Sequence, residues 1–276
     1  MFLQAVTDVL LKMSHEQKVH DGMRNNLDKP KIVAIVPARG DSKSVKGKNV
    51  KALGDHPLIA YTLACAMQSE VIEDVVVTTD SQHIADVARA HGANVPFLRP
   101  REISGDNSTD LEFFQHYIVF CEGAYGEAPE YLVHLRPTTP FRDFRKVDVA
   151  IRNFIEDETA TALRSVHRSK LTPYKIFQMV NGYMTGFFPE HPISEYYNLP
   201  RQTFPEAFVP NGYVDIVRTS VIKTGVLHGN RMVPLITEKV PDIDILEDFH
   251  FAENMLRSMK FEALLRYMKE NYVGLS

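Results

Sequence analysis

The stretch KIVAIVPARGDSKSVKGKN, residues 31–49, decides the fold. Ile32 to Val36 is an unbroken apolar run too short for a helix, the pattern of a strand buried on both faces. It breaks into a polar loop, after which Pro57 stands where it would open a helix at the first position. The rhythm repeats downstream. Val75 to Val77 is a second buried strand, ending in Thr78, Thr79 and Asp80, and the helix after it is closed by Gly92. Phe97 and Leu98 read as a short third strand. Thr109 and Glu112 form a capping-box pattern ahead of Phe113, Phe114, Tyr117, Ile118 and Cys121. Tyr131 to Leu135 is another strand. Strands alternating with helices in this way predict an α/β fold, a Rossmann-like three-layer sandwich with a mainly parallel sheet. In such sheets ligands bind outside the C-terminal ends of the strands. The polar segments that begin at Ala38, Thr79, Arg99 and Arg136 should therefore converge on one crevice.

Near Pro173 the rhythm changes. Tyr174 to Val180 and Tyr183 to Phe188 flank Asn181-Gly182, a strong hairpin-turn signal, and five prolines between 189 and 210 make the next stretch irregular. Residues of about 170–212 read as an inserted antiparallel hairpin. Tyr213 to Val217 returns to the core, Met232 to Ile236 and Ile243 to Ile245 read as strands, and a helix begins near Glu247. Residues 1–30 form a separate N-terminal extension: Phe2, Val6, Val9, Leu10 and Met13 recur at helical spacing, followed by a polar tether. The main domain is 31–276.

Composition narrows the function. The 276 residues are 44% hydrophobic and 24% charged, with a net charge of -4. A nucleic-acid binder held by phosphate contacts would be basic, so a small-molecule substrate is expected. No apolar stretch approaches the roughly 20 residues that cross a bilayer, and the N-terminus lacks a signal-peptide pattern. Cys65 and Cys121 lie in apolar helical segments, as buried free thiols do. A cytoplasmic protein is expected.

Two segments carry chemistry. The loop from Pro37 to Asn49 gathers four cations, two glycines and several hydroxyl and amide groups at a strand's C-terminal end. Backbone N–H groups and Arg and Lys side chains so placed can cradle a polyphosphate; a solvated basic loop is the alternative. It matches neither the Walker P-loop nor the dinucleotide glycine fingerprint. At the other end of the chain, Asp242 and Asp244 alternate with Ile243 and Ile245, which on a strand would put both carboxylates on one face. Crowded carboxylates call for a cation, and Mg²⁺ suits hard oxygens beside phosphates; a solvated edge strand is the alternative. Glu247 and Asp248 fit the first turn of the next helix. His83, His91, His116 and His134 show no metal-ligand spacing and are expected to be surface or hydrogen-bonded structural residues. Phe187, Phe188, Tyr196 and Tyr197 either line a sugar pocket or pack the hairpin.

From about Lys31 to Glu253 the chain resembles the acylneuraminate cytidylyltransferases. The family's I-P-A-R-x-G-S-K followed by K-N is similar to Val36 through Asn49, with Asp41 at the second glycine. Thr79-Asp80, Leu98-Arg99-Pro100, Leu135 through Pro140, Arg201-Gln202 and Asn211-Gly212 follow in order. The resemblance implies that CTP and an acidic 2-keto-3-deoxy sugar give a CMP-sugar and pyrophosphate. It also implies that Arg39, Ser42, Lys43, Lys48, Asn49, Arg99 and Arg136 bind the nucleotide, with Lys43, Lys48 and Arg201 catalytic. Lys175, Arg201, Gln202 and Asn211 would serve the sugar, Asp242 and Asp244 would hold Mg²⁺, and the hairpin would form a homodimer. CMP-3-deoxy-octulosonate synthesis, another NTP sugar transferase and a non-catalytic nucleotide or sugar binder are the alternatives. Asp242, Asp244, Asp80 and a metal-bound water all stand as candidates for the general base. The chain departs from the family at Arg136, where Gln is common, and at Asp110, where a hydroxyl is common. Ile245 and Leu246 replace the usual threonine and glutamate.

Overall fold

The computed structural model describes residues 31–257 and 261–274; the expected helix and tether over 1–30 lie outside them. Strands β2 (Ala52–Leu53) and β3 (His56–Pro57) pair only with each other, while β1 (Ile32–Pro37), β4 (Asp74–Thr78), β5 (Tyr131–His134), β6 (Ala162–Arg168), β9 (Phe208–Arg218) and β10 (Met232–Ile236) form one sheet, in the order β10-β6-β9-β5-β1-β4. The β1/β4, β1/β5 and β6/β10 pairs are parallel, whereas β9 runs antiparallel to both β5 and β6. This is the expected mainly parallel sheet with one reversed strand at its centre.

The unbroken apolar run of β1 follows from burial on both faces. Val33 and Ile35 pack with Phe113, Phe114, Tyr117 and Ile118 of helix α3 (Asp110–Tyr125). Ala34 and Val36 pack with Leu63 of α1 (Leu58–Met67), Ile84 of α2 (Gln82–Ala90) and Ile151 of α4 (Phe144–Glu156). Two helical layers thus enclose the sheet. Pro57 caps α1 from outside rather than filling its first turn. Thr109 and Glu112 form the expected capping box, and Cys65 and Cys121 are free and buried.

Two strand expectations fail. Around Phe97 the pairing shrinks to a single parallel bridge between Val76 and Asn94. Pro96 has no N–H to extend a ladder, and Phe97 packs its ring on His116 instead, with centroids 4.4 Å apart. Ile243–Ile245 is an extended connection held by the bond from Ile243 N to Thr138 O at 2.8 Å. Its continuation is captured by a helix: Asp248 Oδ2 accepts from the backbone of Asp244 and Ile245, at the start of α5 (Leu246–Leu256). Glu247 and Asp248 thus lie in the first turn as expected, and Asp248 also caps it. Ile243 is nevertheless fully buried, with Leu58, Phe141 and Phe249, so Asp242 and Asp244 on either side face solvent.

The hairpin β7 (Phe177–Val180) and β8 (Tyr183–Gly186) is a separate two-stranded sheet. Asn181 at φ 51° and Gly182 at φ 83° make the tight turn. Behind it, Tyr174 is stacked between Phe188 and Phe204, at 4.4 and 4.8 Å. Phe188 N donates to the hydroxyl of the buried Tyr196. Tyr174, Phe188, Tyr196, Tyr197 and Phe204 pack on one another, while Phe187 and Tyr183 are exposed.

Candidate active site

The loops after β1 and β5, the connection from Arg99 to the start of α3, and Asp244 line a cleft of about 500 Å³, within the usual size of a small-ligand site. Sheet geometry makes it: three neighbouring parallel strands end together, and the chain must turn there three times. The first turn is fixed from within. Gly40 N donates to Asp80 Oδ1 at 2.8 Å, and a Cβ at Gly40 would stand 3.0 Å from Ser81 Cβ. The buried Asn49 donates from Nδ2 to Arg39 O at 3.1 Å, so its amide braces the loop.

Three of the loop's four cations, Arg39, Lys43 and Lys48, have an exposed carboxylate as partner. Arg39 Nη1 donates to Asp106 Oδ1 at 2.9 Å, and Lys43 Nζ contacts Asp106 Oδ2. These two cations hold the Asp106 carboxyl below the usual range, Lys43 first. Lys48 Nζ donates to Ile243 O at 2.9 Å and to Asp244 Oδ1 at 3.1 Å. Its side chain is 12% exposed, against 70% for Asp244. Arg99 is buried, its guanidinium 5.7 Å from the Phe113 ring, and its Nε has no hydrogen-bond partner among the described residues. Burial pushes its pKa down. An orphaned donor beside three cations suits an anionic ligand.

At the opposite end, Arg136 donates from Nη1 to Asp215 Oδ2 and from Nη2 to Asp110 Oδ2, both at 2.9 Å. Arg142 locks this corner. Its buried guanidinium donates to the carbonyls of Arg136, Thr139, Gly212 and Tyr213 and to Thr62 Oγ1. Burial lowers its pKa to about 10, so it remains charged at neutral pH.

Arg39, Ser42, Lys43, Lys48, Asn49, Arg99, Arg136 and Asp244 therefore meet at the cleft. Lys175, Arg201 and Gln202 lie exposed on the arm, and Arg201 Nη2 donates to Ser169 O. Asn211 is buried and bonded to Thr237 Oγ1 at 2.6 Å, joining β9 to the end of β10. His83 is exposed and His91 is bonded to Val87 O. His116 and His134 depart from expectation, because each keeps a buried ring nitrogen without a partner among the described residues. Both stay neutral, since burial lowers their pKa values, that of His116 to about 4. Asp106, Arg142 and Asp215 belong to the site although their segments announce nothing. The Ser-Gly-Asp-Asn-Ser turn around Asp106 and the Pro-Phe-Arg run ending at Arg142 are the signals available.

Residues 33–158 match the family model described as cytidylyltransferase. The N-acylneuraminate cytidylyltransferase of Escherichia coli O18:K1:H7 is 34% identical over 225 residues, 80% of this chain and 51% of its own length. Over these residues the chain is similar to the cytidylyltransferases. The CMP-N,N'-diacetyllegionaminic acid synthase of Legionella pneumophila is 39% identical over 52% of this chain and 60% of its own length. The chain thus spans between half and three fifths of these two relatives. A solved CMP:2-keto-3-deoxy-manno-octonic acid synthetase complexed with CTP shares the fold, with TM-score 0.59 and 14% identity over 82% of this chain and 98% of that one. The two departures at Arg136 and Asp110 are one ion pair, Arg136 Nη2 to Asp110 Oδ2.

Proposed function

We propose that the chain transfers the cytidylyl group of CTP to a sialic-acid-like 2-keto-3-deoxy sugar acid, releasing pyrophosphate. The observation that carries this is the cationic end of the cleft. Arg39, Lys43 and Lys48 rest on exposed carboxylates, and Arg99 has an orphaned donor, so a triphosphate can replace the partners they have. The anomeric hydroxyl attacks the α-phosphorus in line and loses its proton. The bond from the α-phosphorus to the bridging oxygen breaks, and pyrophosphate leaves. Charge grows on phosphate oxygens, so positioned cations supply most of the rate. Ser42 and the loop backbone orient the phosphates.

Asp242 and Asp244 suit Mg²⁺. They are exposed oxygen donors held apart by the buried Ile243, Lys48 already supplies Asp244 with a cation, and Mg²⁺ takes one or two carboxylates plus substrate phosphates. Among the described residues no third metal-binding side chain joins them. Bound there, the ion neutralises phosphate charge.

The arm supports a homodimer. Met179, Tyr183 and Met184 are 64 to 77% exposed on a hairpin with no core of its own, and a second copy would cover them. Lys175, Arg201 and Gln202 would then reach the sugar of the other copy. No helix among the described residues is long and apolar enough to cross a membrane, and two free buried cysteines suit a reducing cytoplasm.

The test is pyrophosphate release from each of the four NTPs with Mg²⁺ across a panel of nonulosonic and octulosonic acids. Release with CTP and a nonulosonic acid is expected. Release with another NTP, or with none, overturns the proposal.

A further inference from the structure

A second cavity, of about 290 Å³, is lined by Arg142 and shares no lining residue with the cleft among those described. It opens between the start of α4, the connection 237–241 that leaves β10, and helix α6 (Glu262–Asn271). The reaction proposed above makes no use of it. Its interior is apolar. Phe141 is buried and stacks on the half-buried Phe261, with centroids 4.4 Å apart and planes 20° from parallel, and Leu264, Val240 and Pro241 complete the wall. The polar groups among the lining residues are already engaged within the protein. Arg142 donates to carbonyls and to Thr62, the Tyr213 hydroxyl accepts from Asp143 N at 2.7 Å, Gln68 Nε2 donates to Ala64 O at 2.9 Å, and Thr237 Oγ1 accepts from Asn211. Such a space offers water little to bond and suits an apolar group.

The rim is different. Arg145 and Asp143 offset each other, with Arg145 Nη1 4.0 Å from Asp143 Oδ1. Lys146 and Lys239 are exposed, and neither has a carboxylate partner among the described residues. They outweigh Glu238, the remaining carboxylate among the described lining residues. Net positive charge therefore stands above an aromatic floor. The volume is at the small end of ligand sites, which run from roughly 300 to 1,000 Å³, so the space takes one ring system and excludes a nucleoside triphosphate. Two of its walls also reach the cleft. Pro241 is joined directly to Asp242, and Arg142 holds the carbonyls of Arg136 and Gly212. A ligand joining the 237–241 connection to α4 and α6 would steady both from behind.

We propose that this cavity is a second ligand site, for a small aromatic carboxylate whose ring packs on Phe261 while its anionic group meets Lys146 and Lys239, and that its occupancy tightens the hold of the cleft on CTP. An aromatic ring fits a wall that already stacks ring on ring. The site itself is independent of the cytidylyltransferase reading above; its effect on CTP rests on that reading.

Indole-3-acetate is the probe, titrated into the full-length protein carrying ¹³C-methyl methionine. Met255 lines the cavity and is the reporter, its signal assigned with Met255→Leu. The Met255 methyl signal should shift saturably. Ala263→Trp, which fills the space from α6, should abolish the shift. The double variant Lys146→Glu/Lys239→Glu should weaken the probe about tenfold, as two exposed charge contacts allow, and leave binding of uncharged indole unaffected. All three positions are exposed, so these variants keep the fold. With the probe saturating, CTP measured by calorimetry in Mg²⁺ should bind about fivefold tighter, and CTP should tighten the probe by the same factor. The proposal is overturned by no saturable shift at Met255, by a shift that survives Ala263→Trp, or by undiminished probe binding in the charge-reversed variant. Displacement of the probe by CTP, or an unchanged CTP Kd, overturns it too. A protein that binds no CTP defeats the nucleotide reading, while the Met255 titration still decides whether the cavity is a ligand site.

Discussion

The two ends of the cleft handle charge in opposite ways. At the β1 end, Arg39 and Lys43 meet a carboxylate on an exposed loop, Lys43 with 82% of its side chain in solvent. At the β5–β9 end, Arg136 meets a carboxylate that is 1% exposed, and Arg142 is wholly enclosed by carbonyls. Exposed ion pairs contribute little and exchange partners readily, whereas a buried charge that loses its partner is costly. The first arrangement suits a charged ligand that comes and goes. The second suits a wall that keeps its shape.

The contrast breaks most visibly at Arg142. Replacing it with methionine should destabilise the fold by about 3–5 kcal/mol, because several buried carbonyls lose their donor at once. Lys43→Met should leave the same urea midpoint unchanged. A small effect at Arg142 would mean that the corner is not the rigid end. Lys48→Ala should do the reverse, keeping the midpoint and lowering turnover about a hundredfold, as loss of one charge-stabilising donor does. Turnover near that of the wild type would remove Lys48 from the phosphate site.

Acid sharpens the comparison through His116, which packs on Phe97. Its pKa is lowered to about 4, by burial first and then by Arg99. Between pH 6.5 and 4 the unfolded chain binds the proton that the folded one refuses. Stability is therefore full above 6.5 and falls by roughly 3 kcal/mol as pH drops toward 4. Urea midpoints at pH 7 and pH 5 should differ less in His116→Leu than in the wild type; an equal pH effect would place the acid sensitivity elsewhere. The smallest change expected is at Asp106. Asp106→Asn frees Arg39 and Lys43, and CTP should bind roughly two- to fivefold tighter at low salt, with the gain lost at high salt. Weaker binding would make Asp106 part of the nucleotide site itself.

Legibility in the sequence follows the same divide. Local physics was readable: the apolar run of β1, the Asn181-Gly182 turn, the Thr109 capping box and the cation-rich loop each depend on near neighbours. The partners of those cations were not. Asp106 lies 67 positions from Arg39, and Asp215 lies 79 from Arg136. No periodicity connects them; the sheet order does. The alternation of Asp242, Ile243 and Asp244 correctly put the isoleucine inside and the carboxylates outside. It suggested a strand because alternation does not reveal whether a neighbouring strand is there to pair with. At Phe97 the apolar pair was genuine core, but Pro96 denied it a ladder.

Transfer of the α-phosphoryl group itself is the most direct test. CTP labelled with ³²P at the α position, or separately at the γ position, would be incubated with the protein, Mg²⁺ and the acid that supports pyrophosphate release. The account predicts that α label appears in a CMP-sugar conjugate and γ label in pyrophosphate. Label from the γ position in the sugar, or α label in free CMP with the acid unchanged, would contradict it.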